Sequence, residues 1–284
     1  MSGPLIAVDW GTTNRRVFLL EHGAAVQTDQ DACGVRAVED FAAEVAAIRG
    51  RFGDHPMLLA GMVGSSLGWR ETRYLPAPVG VADLAQALVF ADARTAIVPG
   101  VATAADVMRG EEVQLLGAVA AGLVPTDAVL VQPGTHAKWA RVAAGRLVDF
   151  TTAMTGELWA LLRAGSVLAP QLAGEVCVGD AFRRGVAEGA RRDLAASLFG
   201  IRAACLLRTR ADADAASFAS GLLIGSEVAA RIAAIEQSTI HVVAGPALGA
   251  LYLAAIQANG RRALIVDSHD AFVAGILAIG AHRP

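Results

Sequence analysis

Lysine is nearly absent. Lys138 is the only lysine among 24 basic residues in this 284-residue chain, and the formal net charge is −3. That balance gives no basic footprint for nucleic acid or for an anionic membrane surface, which removes polyanions from the expected partners. Cysteine is scarce too. Cys33, Cys177 and Cys205 are odd in number and include no close pair, which fits neither a disulfide framework nor a zinc site and points to a reducing cytoplasm. Charged residues make up only 18% and aromatics 5%, against 54% apolar residues, a balance that excludes disorder and calls for a sizeable buried core. A long apolar run is missing: the most apolar segment, Val242 to Ile256, is broken by Gly and Pro and falls short of the roughly 18 residues of a spanning helix. The start has no basic region and its first apolar run is interrupted by Asp9, so a cleaved signal peptide is not supported. The length suits two domains of ordinary size, and two lobes with a cleft are expected.

What is present is organised around Ile6-Ala-Val-Asp-Trp-Gly-Thr-Thr-Asn-Arg15. An apolar run ends there on a carboxylate and breaks into a glycine-hydroxyl turn. Gly11 lets the backbone approach a bulky anion, the turn from Gly11 to Asn14 offers main-chain N–H groups and the Thr12 and Thr13 hydroxyls, and Asp9 is placed to hold a hydrated Mg²⁺.

Leu5 to Asp9, Arg16 to Leu20 and Ala24 to Thr28 read as a three-strand meander. Helical spacing over Val38 to Ile48 and an apolar strand, Met57 to Met62, then suggest a crossover to a parallel strand. Residues 64–78 are too rich in Gly, Pro and polar groups to be regular. A loop of that length carrying Trp69, Arg70, Arg73 and Tyr74 is a candidate for lining a ligand site. Val81 to Phe90 reads as a helix, Ala96 to Val98 as a strand, and Glu111 to Ala121 as a helix. The opening arrangement then recurs: Ala128 to Gln132, the turn Pro133-Gly-Thr-His136, Lys138 to Val142, and Arg146 to Phe150. Helices follow over Gly156–Leu162, Asp180–Ala190, Leu194–Leu207 and Phe218–Ile235, with Thr155 and Glu157 as an N-cap and acidic first turn. The end alternates: strand Ile240 to Val243, a helix opened by Gly245-Pro-Ala-Leu248, strand Ala263 to Val266 and helix Ala271 to Ile279. A mixed α/β sheet flanked by helices, built twice, is the expected fold class.

A duplicated meander with a Gly-Thr turn in each half resembles the actin, heat-shock 70 and hexokinase superfamily, two-lobed ATPases of ribonuclease H-like fold in which ATP lies between the lobes. Within it, Val8-Asp-Trp-Gly-Thr-Thr-Asn14, Gly61-Met-Val-Gly64 with Gly68-Trp69 and Tyr74-Leu-Pro76, Asp106-Val-Met-Arg-Gly-Glu-Glu112, Pro133-Gly-Thr-His-Ala-Lys-Trp139 and Met154-Thr-Gly-Glu-Leu158 resemble the 2-dehydro-3-deoxygalactonokinase family. Phe218-Ala-Ser-Gly-Leu-Leu-Ile-Gly225 also looks familial. The resemblance spans the chain. It implies a cytoplasmic kinase that phosphorylates 2-keto-3-deoxygalactonate on its 6-hydroxyl with Mg-ATP in galactonate catabolism, with lobes at 1–110 and 111–284. A homodimer is the candidate assembly.

The demands of such a kinase assign roles. The turns Gly11 to Asn14 and Gly134-Thr135-His136 are candidate phosphate clamps, with Asp9 for Mg²⁺ and Lys138 as a point charge toward phosphate. Related sugar kinases carry an Asp at the start of the helix preceding the second turn; this sequence has Glu111-Glu112 there, so either is the candidate base, with Asp106 behind them. A sugar-acid carboxylate calls for a guanidinium, and Arg109, Arg70 and Arg73 are the choices. Gly245 and Ala247 lie where the superfamily lets adenosine approach the backbone. His136 has no partner at metal-ligand spacing, so no zinc is assigned. The competing functions are a kinase for a neutral sugar, which would lack the cationic pocket, and a nucleotide-gated ATPase or sensor, for which Glu111 and Glu112 would be replaceable by Gln.

Overall fold

The computed structural model describes residues 3–191, 193–209 and 212–282. In chain order the elements are β1 (Leu5–Trp10), β2 (Arg15–Glu21), β3 (Ala24–Asp31), α1 (Phe41–Phe52), β4 (Met57–Gly61), β5 (Leu75–Pro76), α2 (Val81–Gln86), β6 (Val89–Asp92), β7 (Thr95–Ile97), β8 (Val101–Ala102), β9 (Val107–Met108) and α3 (Glu111–Ala120). Then follow β10 (Ala128–Gln132), β11 (Ala137–Ala143), β12 (Arg146–Ala153), α4 (Thr155–Gly165), α5 (Asp180–Gly189), α6 (Leu194–Leu206), α7 (Asp212–Ile232), β13 (Thr239–Val243), α8 (Pro246–Ala258), β14 (Arg262–Val266) and α9 (Ser268–Ala281).

The duplication is visible in the sheets. One runs β3-β2-β1-β4-β7-β6, the other β12-β11-β10-β13-β14, and a small sheet joins β5, β8 and β9. In the first, β1 pairs antiparallel with β2 and parallel with β4, which pairs parallel with β7. In the second, β10 pairs parallel with β13, and β13 with β14. Central strands β1 and β4 are buried on both faces, which is why they read as unbroken apolar runs, whereas edge strand β3 is polar and mostly exposed.

Most sequence-expected elements stand within a few residues of their predicted limits; the region from 75 to 108 does not. The helix expected over Val81 to Phe90 stops at Gln86, and Val89–Asp92 is an edge strand that folds back antiparallel on β7. Val89 and Phe90 suit a pleated surface better than a helix, and the turn behind them is fixed by Asp92, which accepts from Arg94 N at 2.7 Å and Thr95 Oγ1 at 2.8 Å.

Two compact units result. One is Met1–Asp127 with Ala140–Phe150 and Ser268–Pro284; the other is Ala128–Trp139 with Thr151–Asp267. The expected lobes at 1–110 and 111–284 differ from these, because α3 and α9 pack on each other inside the first unit. Glycines make that crossing close: a Cβ on Gly117 would lie 2.0 Å from the Ala271 carbonyl oxygen, and one on Gly275 2.1 Å from that of Val113. In the first unit Val8, Trp10, Ile48, Leu59 and Ile97 centre the core; in the second Val131, Phe182, Val228, Val242 and Tyr252 do.

Candidate active site

In the first unit, β1 delivers its carboxylate and then the turn. Gly11 N–H donates to the Asn14 carbonyl at 2.9 Å, and the turn's own carbonyls are taken by the segment after β3: Val35 N–H to Gly11 O at 3.0 Å, Gly34 N–H to Thr13 O at 3.2 Å, and Arg36 N–H to Thr12 O at 3.4 Å. A Cβ on Gly34 would lie 2.4 Å from the Thr12 oxygen. That segment is held in turn by Trp10 Nε1 donating to Cys33 O at 2.8 Å and by Asp31, which accepts from Cys33 N and from the buried Arg15. With its carbonyls occupied from behind, the turn carries exposed Thr13 and Asn14 and half-buried Thr12 on its outer side.

Asp9 sits one residue before the end of β1, 21% exposed, with Arg16 Nη1 at 3.5 Å. Burial pushes its carboxyl up despite the opposing pull of Arg16 and His269. Such a crowded carboxylate gains from a cation. A hydrated Mg²⁺ held jointly with phosphate oxygens needs only one or two carboxylates, so the donor set of Asp9 and the adjacent hydroxyl turn fits Mg-ATP. Among the described residues no group of three or more His, Cys, Asp or Glu is arranged to hold a metal by itself.

The start of α3 lies at the same end of this sheet. Trp10 pairs with Gly61, the last residue of β4, and a Cβ on Gly110 would lie 3.0 Å from Gly61 Cα. Gly110, with φ of 107°, turns the chain into α3. This separates the two candidate bases. Glu112 is 0% exposed and both its oxygens face Gly110 N–H, at 2.8 and 2.7 Å; burial first, and the charge of Glu111 second, push its carboxyl up to about 8. Glu111 is half-exposed and accepts from Arg109 N–H at 3.1 Å. Asp106 directly precedes β9 and is not part of α3.

Arg109 is buried and committed to the 64–78 loop. Its Nη1 donates to Thr72 Oγ1, its Nη2 to Thr72 O at 3.0 Å, and its guanidinium lies 4.3 Å from the Tyr74 ring centroid. Trp69 is half-buried against the first unit's core. Arg70 and Arg73 are exposed and, among the described residues, form no ion pair. Of the three candidate carboxylate grips, two are open to a ligand and one holds the loop.

In the second unit, Gly134, Thr135 and His136 are exposed between β10 and β11. The start of α4 is pressed on them: Glu157 N–H donates to Thr135 O at 2.9 Å, Glu157 Oε2 is 2.6 Å from His136 Nε2, and a Cβ on Gly156 would lie 2.2 Å from Gly134 O. Lys138 is buried on β11, its Nζ donating to Thr152 Oγ1 at 2.9 Å. Gly245 precedes α8 as its N-cap and, with Ala247, is exposed. Behind these lies a largely apolar cavity of about 120 Å³, lined by Gly134, Thr155, Trp159, Ser220, Leu248 and Tyr252 among others. Thr155, expected as an N-cap, is instead the first residue of α4, after Met154 at the N-cap; its hydroxyl lies within hydrogen-bonding reach of Glu227 and Tyr252. Sequence reasoning missed Glu227, whose one signal was an acid inside the apolar run of α7.

The family profile of 2-keto-3-deoxy-galactonokinase matches residues 9–279. The chain is 37% identical to the 2-dehydro-3-deoxygalactonokinase of Escherichia coli (strain K12), over 98% of each chain. It is 34% identical to a Rhizobium meliloti (strain 1021) protein named as a probable enzyme of the same kind, over 98% of this chain and 96% of the other. A crystal structure of a Sinorhizobium meliloti protein provisionally given that name superposes with a TM-score of 0.90 at 31% identity, covering 97% and 98%. The activator of 2-hydroxyisocaproyl-CoA dehydratase from Clostridium difficile, solved with bound ADPNP, superposes with a TM-score of 0.53 at 12% identity over 99% and 96%, a likeness of fold alone. The chain thus shares its α/β fold of mixed sheets flanked by helices with these solved structures, and it belongs to the 2-keto-3-deoxy-galactonokinase family.

Proposed function

We propose that this chain transfers the γ-phosphoryl group of ATP to the 6-hydroxyl of 2-dehydro-3-deoxy-D-galactonate. Family membership supports the reaction class, and the observation that carries the site is the meeting of Asp9, the turn Gly11–Asn14 and Glu111 at one end of the first sheet. Phosphoryl transfer needs little covalent help from protein; it needs held phosphates, compensated charge and an oriented hydroxyl.

The Thr12 and Thr13 hydroxyls and the turn backbone bind phosphate oxygens in the first unit, and Gly134, Thr135 and His136 do so in the second. Asp9 holds Mg²⁺, which would supply positive charge against the triphosphate. Glu111 accepts the proton of the attacking hydroxyl, because it is open to a ligand while Glu112 is enclosed and protonated below about 8. Arg70 and Arg73 grip the substrate carboxylate, with Trp69 and Tyr74 on the same loop, which Arg109 anchors. Lys138 adds fixed positive charge from within β11. Gly245 and Ala247 leave the opening of α8 accessible to the adenosine.

A coupled ADP-release assay with Mg-ATP and 2-keto-3-deoxygalactonate, 2-keto-3-deoxygluconate, galactose or no acceptor tests this. Stimulation by the keto-deoxy acids alone is expected, with Glu111→Gln lowering kcat by about 100-fold or more while nucleotide binding persists. Stimulation by galactose alone would overturn the substrate, and ADP release indifferent to acceptor would point to a nucleotide-gated ATPase.

A further inference from the structure

The second unit contains a buried carboxylate that the proposed chemistry does not use. Glu227, on α7, is 8% exposed. Its Oε1 accepts from Trp139 Nε1 at 2.6 Å and its Oε2 from Tyr252 Oη at 2.8 Å, and the Thr155 hydroxyl lies within hydrogen-bonding reach of both Glu227 and Tyr252. A carboxylate in a dry surrounding is costly, and its pKa is raised by that burial. An apolar side chain of similar volume would fill the space but leave the Trp139 Nε1–H and Tyr252 Oη–H donors without an acceptor, so volume alone gives no reason for an acid here.

What the acid connects does give one. Trp139 stands on β11 three residues after His136, Thr155 opens α4, and Tyr252 belongs to the exposed-start helix α8. These are the elements that form the second turn, press on it from behind and line the cavity beside it. One side chain on α7 therefore ties the turn, its backing helix and the cavity wall to a common point. Resting on the reading of this unit as the one that takes the nucleotide, we propose that Glu227 is a positioning residue: it fixes β11, α4 and α8 relative to one another so that turn and cavity meet a nucleotide together.

The test uses the full chain. Mg-ADP binding is measured by calorimetry, and initial rates are measured against ATP and against the sugar acid, for the wild type, Glu227→Gln and Val228→Ala. Glutamine keeps the volume but faces one of the donors with an N–H group, so Glu227→Gln should weaken Mg-ADP binding and raise KM for ATP by roughly tenfold, leaving KM for the sugar acid within about twofold. Val228→Ala, which only empties core beside Glu227, should lower Tm without moving either KM. Wild-type affinity in Glu227→Gln, equal weakening toward both substrates, or the same nucleotide defect in Val228→Ala would each overturn the proposal. A wild-type chain that binds no Mg-ADP would instead overturn the kinase reading, and the proposal with it.

Discussion

Replacing Glu112 by Gln should make the protein more stable as the pH rises. In the fold the carboxyl titrates at about 8, against an ordinary value of 4.5. Between those values the folded state holds a proton that the unfolded state gives up, so folding is penalised progressively as pH rises through the window and fully above it. Each pKa unit is worth about 1.4 kcal/mol, so the penalty grows by on the order of 3 kcal/mol from pH 5 to pH 8. Glutamine does not titrate and its amide oxygen can still accept from Gly110 N–H, the bond that both oxygens of Glu112 now face. The two proteins should be nearly equal in stability at pH 5, with the variant ahead by on the order of 3 kcal/mol at pH 8. Urea denaturation of both at pH 5, 6, 7 and 8 measures this, and taking the difference cancels the titrating groups that do not interact with Glu112. A gap that stays constant or shrinks with pH would show that Glu112 is ionised in the fold and refute its assignment as an enclosed, protonated anchor.

Gly117→Ala puts a methyl group 2.0 Å from a backbone carbonyl of α9 and should cost roughly 3 kcal/mol or more, read as a fall in the urea midpoint; a loss under about 1 kcal/mol would mean the helices part cheaply. Arg109→Lys removes the forked contact to Thr72 and the stacking on Tyr74, so KM for the sugar acid should rise about tenfold with KM for ATP unchanged. Steady-state kinetics with each substrate varied in turn decides it, and equal effects on both would break the link between loop and acid.

The parts of the fold legible in the sequence are those where one strand or helix obeys its own pattern. β1, β4 and β10 are continuous apolar runs, and the glycine-hydroxyl turns follow from residues adjacent in the chain. β5, β8 and β9 are two residues long, too short for any period, and exist only through pairing with one another. The unit boundary was hidden for a related reason: nothing near Gly117 says that it meets Gly275, since close approach leaves only a glycine in each sequence. At the site, residue type was readable and commitment was not. Arg109 and Lys138 look like free cations in the sequence, whereas the fold spends them on Thr72, Tyr74 and Thr152. Glu111 and Glu112 are identical in type and adjacent, and the positive φ of Gly110 makes one enclosed and the other open.

The crossing of α3 and α9 also sets an order of events during synthesis. α3 is made early, but the surface that covers Gly117 arrives only with α9, after the whole continuous stretch of the second unit has been translated. The second unit, already begun at Ala128–Trp139 and completed by Thr151–Asp267, can gather its own core as it emerges. The first cannot close over α3 until residues 268–281 leave the ribosome, so its apolar helix face stays uncovered for most of translation.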